Sequence, residues 1–564
     1  MDEALMSKYE ELSNLIFPDV NETVEDLEKR YPKRNLEDGA FVTRFAPSPT
    51  GFLHTGALFT TLVDKLLAKQ NNGTYYLRIE DTDSKREVPG SVKLFTEELE
   101  KFGLAPSEGV ISETEEVGEY GPYRQSKRAD IYRICAKYLV KKGLAYPCFC
   151  TQEMIDITRK TQEANKIVPG YYGVYAKCRN ISVDESIERV KNGEEYILRF
   201  RSQGSHLRKT FFIDGGRGKI ELAENDQDIV LIKKDGLPTY HFAHVVDDHF
   251  MRTTHVVRGE EWIPSTPIHI ELFKAMDFEP LTYVHVPLIM VKDGESRRKL
   301  SKRKDKEAAV SYFLKAGYEK DAMIEYLMTI ANSDFESWRS KNKDADVFDF
   351  KFKINKMSSS GSLLDIPKLN DISKEVIAKM NSETLFEKVN NWSKEYDQDL
   401  YQLINKDVDY TKKIFALERD NAKKVRKDIY KWEDILPTFF YFFNDLFEKD
   451  KEKSGNTFDV LLEENPKLNK EIVNKALDLY KSTYNENHTK DEWFNNLKNC
   501  ADSLGFCTDM KEYKKNSDEY IGSTADFAGI VRIAITNRKN SPDIYEIMQI
   551  LGKDQVEKRL SAKL

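Results

Sequence analysis

Cysteine is scarce in this sequence, with 6 residues among 564 and no regular spacing between them. This usage excludes a disulfide scaffold of the kind found in small secreted domains. Long apolar runs are also missing, since none approaches the ~20 residues that a membrane-spanning helix needs. The first residues, MDEALMSKYEEL, lack the basic region and the apolar core of a signal peptide. We therefore expect a cytoplasmic protein with no membrane partner.

A basic excess is missing as well, because the net charge is −8 although the chain carries 87 Lys and Arg residues. Binding to nucleic acid needs basic side chains at the phosphates, but these can gather on one face while acids cover the rest. The net charge therefore leaves the partner undecided. A chain of 564 residues exceeds one hydrophobic core, and about three to five domains are expected.

The most informative stretch is FVTRFAPSPTGFLHTGAL, from Phe41 to Leu58. A short apolar and β-branched run breaks at prolines and a glycine, and an amphipathic pattern follows over Thr55 to Gln70, which predicts strand, tight loop and helix. A second strand is predicted over Thr74 to Ile79, so the unit begins a βαβ fold. His54 and Gly56 lie where the loop enters the helix, a position that favours a phosphate. On the HTGA tetrapeptide alone, an ordinary turn with a surface histidine is the alternative.

The run Arg44 to Gly51 (RFAPSPTG), leading into HTGA, resembles the signature of glutamyl-tRNA synthetases, which are class I aminoacyl-tRNA synthetases. The run Arg78 to Asp83 (RIEDTD) matches what that family carries on its next strand. The resemblance implies that Glu80 contacts the amino group of glutamate, whereas merely solvated loop acids are the alternative. It assigns the following residues to the glutamate pocket: Arg44, Ala46, Ser48, Glu80, Tyr240, His244 and Arg258.

Two of these pocket residues lie in the second half of the predicted nucleotide fold, on a helix that begins at Thr239. The resemblance implies that Tyr240 lines the pocket. His244 occupies a position that the family often gives to asparagine, so its particular contact is left open, although a histidine can still donate one hydrogen bond.

Arg258 opens the run RGEEW at the end of a strand predicted over Thr254 to Gly259. Its planar guanidinium is a bidentate donor that matches a carboxylate. The resemblance implies that glutaminyl enzymes carry a neutral residue here, so Arg258 favours glutamate over glutamine as the substrate. A surface arginine paired with Glu260 or Glu261 is the alternative.

The run Lys299 to Arg303 (KLSKR) follows a strand predicted over Tyr283 to Met290 and a glycine-containing loop, and it resembles the KMSKS-type signature of class I synthetases. Lysines on such a loop can neutralise charge as pyrophosphate leaves. Alone, a basic pentapeptide is more often a solvated loop. The residues assigned to ATP binding are His54, Gly56, Glu261, Lys299, Ser301 and Lys302, and those assigned to catalysis are His54, Gly56, Lys299 and Lys302.

Cys148, Cys150 and Cys178 resemble the zinc knuckle of the family, in which C-x-C is followed at a distance by C-x-H. Asn180 stands at the last ligand position and is a poor zinc ligand. A zinc site with a substitute ligand and a relic of the knuckle without metal both stay open, and no metal is assigned. The candidates for a substitute ligand are Tyr172 and Tyr175.

The fold class implied is α/β: a Rossmann-like class I synthetase catalytic domain with an inserted acceptor-binding domain, followed by all-α C-terminal anticodon-binding domains of the bacterial type. Apolar residues at i, i+3 and i+4 in the last third of the chain predict those helices. The expected segments are an N-terminal extension (1–40), the first half of the catalytic domain (41–140), the inserted tRNA acceptor-binding domain (141–240), the second half of the catalytic domain (241–310), a connecting, stem-contact domain (311–370) and the helical anticodon-binding region (371–564).

The resemblance implies an ATP-dependent ligase that joins L-glutamate to tRNA(Glu) through a glutamyl-adenylate. Mg²⁺ arrives with ATP through phosphate oxygens and water, and a monomer is expected. Three alternatives were weighed: an enzyme that uses glutamine, a truncated relative that glutamylates a modified tRNA base and lacks the helical half, and a non-catalytic tRNA-binding protein. The sequence leaves open whether tRNA(Gln) is also a substrate.

Overall fold

A computed structural model describes residues 2–83, 85–358, 361–454 and 457–561. The chain forms two compact units: Met1–Leu314 with Met323–Ile366, and Lys315–Ala322 with Pro367–Leu564. The first contains the sheets and the second is helical, which confirms the predicted fold class. None of the helices formed by the described residues combines the length and the apolar composition that a membrane crossing requires.

The strands of the first unit are β1 Val42–Phe45, β2 Thr74–Leu77, β3 Glu108–Val110, β4 Glu116–Val117, β5 Ala145–Cys148, β6 Ile197–Phe200, β7 Lys209–Asp214, β8 Gly218–Ala223, β9 Val230–Ile232, β10 His255–Gly259, β11 Thr282–Val286, β12 Ile289–Asp293, β13 Ser296–Lys299 and β14 Ser362–Leu363. The first ten helices along the chain are α1 Glu3–Ile16, α2 Val24–Arg30, α3 Thr55–Gln70, α4 Ser91–Lys101, α5 Ala129–Lys141, α6 Gln152–Ala164, α7 Val183–Lys191, α8 Tyr240–Phe250, α9 Thr266–Ala275 and α10 Val310–Ala316.

The remaining helices are α11 Lys320–Ala331, α12 Phe335–Lys341, α13 Ile366–Ala378, α14 Ser382–Tyr396, α15 Gln398–Asn405, α16 Val408–Ala416, α17 Ile435–Phe439, α18 Asn444–Ser454, α19 Thr457–Glu464, α20 Lys470–Thr483, α21 Lys490–Ser503, α22 Met510–Lys515, α23 Thr524–Thr536, α24 Ile544–Leu551 and α25 Lys553–Leu560. Those of the second unit surround one core, which includes the fully buried Leu477, Phe527 and Ile547.

Two sheets meet at the centre of the first unit. One has the order β1-β2-β3-β4 and the other β10-β11-β7-β8, and the pairs β1–β2, β2–β3, β10–β11 and β11–β7 are parallel. The Thr254 N–H donates to the Val42 carbonyl (3.0 Å), which brings β10 beside β1. The carboxyl ends of β1, β2, β10 and β11 therefore face one cleft, the usual ligand position in open α/β sheets.

Helix α3 has the predicted bounds, because its apolar stripe and its N-cap residue both indicate a start at Thr55. Leu58, Leu62 and Leu66 recur at i+4 and are fully buried. Strand β2 ends at Leu77, two residues earlier than predicted. The backbone of Ile79 pairs instead with the segment around Arg124, which takes that residue out of the β1–β2 ladder.

The single strand predicted over Tyr283 to Met290 is wrong. The chain forms β11 and then β12, which pairs antiparallel with β13 in a hairpin that turns at Gly294 (φ 63°). Pro287 lies between β11 and β12, and a residue without an N–H cannot donate to a sheet ladder. The KLSKR run therefore begins at the end of a strand, with Lys299 as the last residue of β13.

Strands β7 and β8 form an antiparallel hairpin that turns between Asp214 and Gly218. Strand β7 also pairs parallel with β11 through Asp214 and Tyr283, so this hairpin extends the central sheet. Strands β5, β6 and β9 form a separate antiparallel sheet within the inserted segment. At the N-terminus, α1 packs against α5 and α7, as expected for an extension that covers the body of the protein.

Candidate active site

A cavity of about 540 Å³ opens at the carboxyl ends of β1, β2, β10 and β11. Nearly all residues that the sequence assigned to the site line this one cavity. They are Arg44, Ala46, Ser48, His54, Gly56, Glu80, Tyr240, Arg258, Glu261, Lys299 and Lys302. His244 and Ser301 are not among its lining residues.

His54 is the N-cap of α3, and its ring Nδ1 accepts a hydrogen bond from the Gly56 N–H (2.9 Å). The neutral ring then carries its proton on Nε2, and a hydrogen bond between the ring and the Leu300 backbone acts to raise the pKa of His54. Burial, and next the nearby Lys302, lower the pKa of His54. The Gly56 N–H is thus bonded to the histidine. A Cβ atom at position 56 would lie 3.1 Å from the His54 ring, so a side chain there would crowd it.

Two lysines, Lys299 and Lys302, line the cavity together with Leu300, which lies between them in the sequence. The Lys299 ammonium pairs with Glu261 at 2.8 Å, and both side chains are partly exposed. The Lys302 ammonium donates to the Phe52 carbonyl (3.3 Å), and burial lowers its pKa. Two cations and the His54 donor therefore surround the entrance of α3, an arrangement suited to a polyphosphate.

The loop that carries these lysines is held from outside the cavity. Asp305 accepts from the Ser301 N–H (2.8 Å) and pairs with Arg298 (2.7 Å). The Arg298 hydrogen bond lowers the pKa of Asp305 to about 2. The backbone of Ser301 therefore stabilises the conformation of the loop, and its hydroxyl accepts a hydrogen bond from the Arg303 N–H.

The end of the cavity that contains Arg44 and Glu80 is built over a buried ion cluster. Asp248, at 0% exposure, pairs with Arg78 (2.6 Å) and Arg44 (3.3 Å). Arg78 also reaches Glu80 (3.3 Å). Burial raises the pKa of Glu80 to about 7, against the lowering effect of Arg78. A substrate ammonium at Glu80 would favour the ionised carboxylate.

Arg258 is 5% exposed and is not the surface arginine of the alternative reading. Its guanidinium donates to His285 and His269, to the Thr266 hydroxyl and to the Trp262 carbonyl. Glu260 pairs with Arg217 instead, and Glu261 with Lys299. Among the described residues no carboxylate lies within ion-pair distance of Arg258.

His244 lies behind the cavity wall at 0% exposure. Its Nδ1 contacts Asp248 (2.8 Å), and its Nε2 contacts the Tyr283 hydroxyl (3.0 Å). Burial lowers its pKa to about 3, so the ring is neutral and both nitrogens are engaged by the protein. His244 therefore does not line the cavity, and the contact that the sequence left open is with Asp248 and Tyr283.

Asp247, Asp248, Arg78 and Arg128 were not assigned from the sequence although all four are completely buried. Asp247 pairs with Arg128 (2.7 Å), beside the Asp248 cluster. The sequence did contain a signal for burial, because Asp247 and Asp248 lie in α8 between the apolar residues Val246 and Phe250. Acids within an apolar face are buried only with partners, but sequence does not name partners so distant along the chain.

The three cysteines of the inserted segment meet as the resemblance implied, with their sulfur atoms within 4.8 Å of one another. The fourth group is Tyr171, whose hydroxyl lies 3.3 Å from the sulfurs of Cys148 and Cys150. The hydroxyl of Tyr172, one of the two candidates for a substitute ligand, donates instead to the Val168 carbonyl.

The Cys150–Cys178 separation of 3.6 Å is close to the roughly 3.8 Å between thiolates on a tetrahedral zinc. Three sulfurs and one phenol oxygen therefore fit Zn²⁺, which would tie β5 to the segment around Cys178. At the end of the cleft that contains Lys299 and Lys302, the carboxylate of Glu261 is already paired with Lys299. The described residues there do not form a Mg²⁺ cage.

Comparison with known proteins agrees with this geometry. Residues 40–371 match the family described as tRNA synthetases class I (E and Q), catalytic domain, and residues 384–564 match the anticodon binding domain. The glutamate–tRNA ligase of Clostridium perfringens is 48% identical over 552 residues, which cover 98% of this chain and 100% of that protein. The glutamate–tRNA ligase of Acetivibrio thermocellus is 44% identical over 99% of this chain and 100% of its own length.

Among solved structures, a crystal structure of a glutamate tRNA ligase from Elizabethkingia meningosepticum in complex with its amino acid is similar, with a TM-score of 0.69 and 27% identity. The match covers 92% of this chain and 98% of that one. These likenesses extend over both units.

Proposed function

This chain belongs to the class I tRNA synthetases of the glutamate and glutamine (E and Q) family, and we propose that it ligates L-glutamate to tRNA(Glu) with ATP. The glutamate α-carboxylate attacks the α-phosphorus of ATP, which forms glutamyl-adenylate and releases pyrophosphate. A ribose hydroxyl of the terminal adenosine of tRNA then attacks the acyl carbon, loses its proton and releases AMP. Both nucleophiles come from substrates, so the enzyme contributes position and charge.

The phosphate-handling residues are His54, Gly56, Lys299 and Lys302. The His54 Nε2–H donates to a phosphate oxygen, which takes the place of the ring's contact with the Leu300 backbone, and Gly56 keeps the loop open to close approach of the nucleotide. The lysine ammonium groups stabilise the charge that moves onto pyrophosphate as it leaves. Glu261 orients Lys299 through their 2.8 Å contact. Mg²⁺ accompanies ATP on its phosphate oxygens and further neutralises them.

The amino-acid residues are Glu80 at the substrate ammonium and Arg258 at its side-chain carboxylate. Tyr240 forms the wall between them, with its ring 4.6 Å from that of Trp262. Arg44, Ala46 and Ser48 complete the pocket, whereas Ser301 and His244 act from behind it.

One observation carries the choice of glutamate. Arg258 is buried without a carboxylate partner in the cavity that also contains the phosphate-handling residues. A desolvated, uncompensated cation is costly, and an incoming carboxylate removes that penalty. The amide of glutamine would not. We further propose that the enzyme acts as a monomer in the cytoplasm, where tRNA is aminoacylated.

The test is ATP–pyrophosphate exchange with glutamate or glutamine, each with and without tRNA(Glu), followed by aminoacylation with labelled amino acid. We expect exchange and aminoacylation with glutamate, and the family resemblance implies that exchange needs tRNA. Exchange with glutamine alone would contradict the assignment of Arg258. No exchange in any combination would contradict the enzymatic reading, and light scattering tests the monomer.

A further inference from the structure

The Arg258 guanidinium is held on three of its sides by groups that carry no charge. Its Nε donates to His285 Nε2 (3.0 Å), its Nη1 to His269 Nδ1 (3.1 Å), and its Nη2 to the Thr266 hydroxyl (2.8 Å) and the Trp262 carbonyl (3.3 Å). The Tyr283 ring lies 4.4 Å from its central carbon. Arg44, in the same cavity, is held instead by the carboxylate of Asp248. The two arginines are therefore fixed by different chemistry.

Asp214 determines which nitrogen of His285 faces Arg258. Its Oδ2 accepts from His285 Nδ1 (2.7 Å) and from the His285 backbone N–H (3.1 Å), while its Oδ1 accepts from the Gly216 and Arg217 N–H groups. With the proton on Nδ1, the Nε2 lone pair is free to accept from the guanidinium. The carboxylate thus orients the imidazole but stands on the side away from Arg258, where it does not pair with that cation.

His241 performs the matching task for His269. An arginine only donates, so the His269 Nδ1 that faces Arg258 is an acceptor and the proton lies on Nε2. That Nε2 is 2.9 Å from His241 Nδ1, which accepts it. Burial lowers the pKa of His241 to about 4 and that of His269 well below its ordinary value, so both rings are neutral at neutral pH.

We propose that His285, oriented by Asp214, and His269, oriented by His241, are positioning residues that fix the Arg258 guanidinium without neutralising it and so set the preference for glutamate over glutamine. This inference rests on the proposed function. A carboxylate in the place of either histidine would compete with the substrate carboxylate, whereas an arginine without these acceptors would no longer aim its remaining Nη1 N–H at the substrate. Neutral acceptors satisfy both requirements.

The experiment compares variants that keep or remove each acceptor, using tRNA-dependent ATP–pyrophosphate exchange. His285→Gln keeps an oxygen near the Nε2 position, and His285→Phe keeps the ring volume without an acceptor. His269→Asn and His269→Phe form the corresponding pair on α9. We expect each Phe variant to raise the KM for glutamate about 10- to 100-fold, the effect of losing one hydrogen bond to a charged group.

In the same variants kcat and the KM for ATP should change much less, and the ratio of glutamate to glutamine specificity should fall. His285→Gln and His269→Asn should recover most of the affinity for glutamate. Asp214→Asn should also raise the glutamate KM, and combining it with His285→Phe should add little, because both changes act on one hydrogen bond. His255→Phe is the matched control: it replaces a half-buried histidine of β10 that stacks on Phe41 outside the cavity.

The proposal is overturned if His285→Phe and His285→Gln have equal glutamate KM values, or if the Phe variants keep the wild-type KM. Thermal melting identifies a variant that fails to fold, and the His269 pair, on another element, then decides the question. If the wild-type protein itself shows no glutamate-dependent exchange, the proposed function and this inference both fail. If the wild type is active and the Phe variants match it, only this inference fails.

Discussion

Arg44 and Arg258 are both about 5% exposed and line the same cavity, yet their surroundings differ in charge. Arg44 shares the buried carboxylate of Asp248 with Arg78. Arg258 meets only neutral acceptors. The first cation is compensated within the protein and contributes to the fold, while the second is left for a ligand. Stability and specificity thus depend on different residues of one cavity, Arg44 on β1 and Arg258 on β10.

The largest expected effect is on stability and comes from removing the carboxylate of Asp248, which pairs with Arg44 and Arg78. Asp248→Asn would leave the buried Arg44 guanidinium without its carboxylate and Arg78 with only its longer contacts to Glu80 (3.3 Å) and Asp247 (3.8 Å), which costs about 3–5 kcal/mol of stability. We expect a large drop in the thermal midpoint of the first unit, measured by calorimetry. Glu163→Gln, which breaks the exposed Arg159 pair, is the control and should melt as the wild type does. Equal midpoints for both variants would contradict the structural role of Asp248.

Replacing Arg258, the arginine without a carboxylate partner, should lower activity and leave thermal stability nearly unchanged. Arg258→Cys removes a buried charge that has no ionic partner, so we expect little loss of thermal stability. The specificity constant for glutamate should fall by an amount corresponding to about 2–5 kcal/mol, the usual range for one partner of a desolvated charge pair. Arg133→Cys, at a surface pair with Asp19, is the control for kinetics. Unchanged glutamate kinetics in Arg258→Cys would refute the assignment.

Lys302→Ala tests the phosphate end of the same cavity. Loss of one charge-stabilising donor should slow adenylate formation about 100-fold, while tRNA affinity changes little because the ammonium faces Phe52 and the cavity. Single-turnover rates and filter binding measure the two quantities. Lys304→Ala changes an exposed lysine of the same loop and should have no comparable effect on the rate. Equal activation rates in the two variants would remove Lys302 from the mechanism.

A pH profile examines Glu80, whose pKa burial raises to about 7. Below that pKa the carboxyl is protonated and neutral, so its attraction for the substrate ammonium is lost. From about pH 8 to about pH 6 the KM for glutamate should rise about tenfold, following the ionised fraction. Glu80→Gln should show a high KM that varies little over this range. A profile unaltered by Glu80→Gln would assign the titration to another group.

The smallest effect on catalysis is expected at the cysteine cluster, which lies outside the catalytic cavity. We expect protein purified without chelators to contain about one zinc ion per chain, bound by three sulfurs and the Tyr171 oxygen. Tyr171→Phe should lower zinc affinity about tenfold, and metal analysis after dialysis measures it. Tyr172→Phe is the control, since that hydroxyl bonds to a backbone carbonyl. Equal zinc contents in the two variants would exclude Tyr171 as a ligand.

Local patterns predicted the elements whose signals agree with one another. Helix α3 was placed to the residue because the Leu58, Leu62 and Leu66 spacing and the loop before His54 point to the same start. The hairpin before KLSKR was missed, since Lys292 to Lys299 shows no apolar alternation and its two strands are mostly exposed. The β12–β13 pairing depends on backbone hydrogen bonds and a glycine turn, which hydrophobic periodicity does not report.

By itself the sequence determined the fold class, the family and half of the lining residues of the cavity, because these follow from short motifs and from the periodicity of buried residues. The tertiary structure decided which charges are compensated. It placed His244 behind the cavity wall, joined Asp248 to Arg44 and Arg78, put Tyr171 rather than Tyr172 at the cysteines and aligned two histidines on Arg258. All of these depend on contacts between residues far apart in the chain, and burial, which sets pKa and the cost of a charge, exists only once those contacts form.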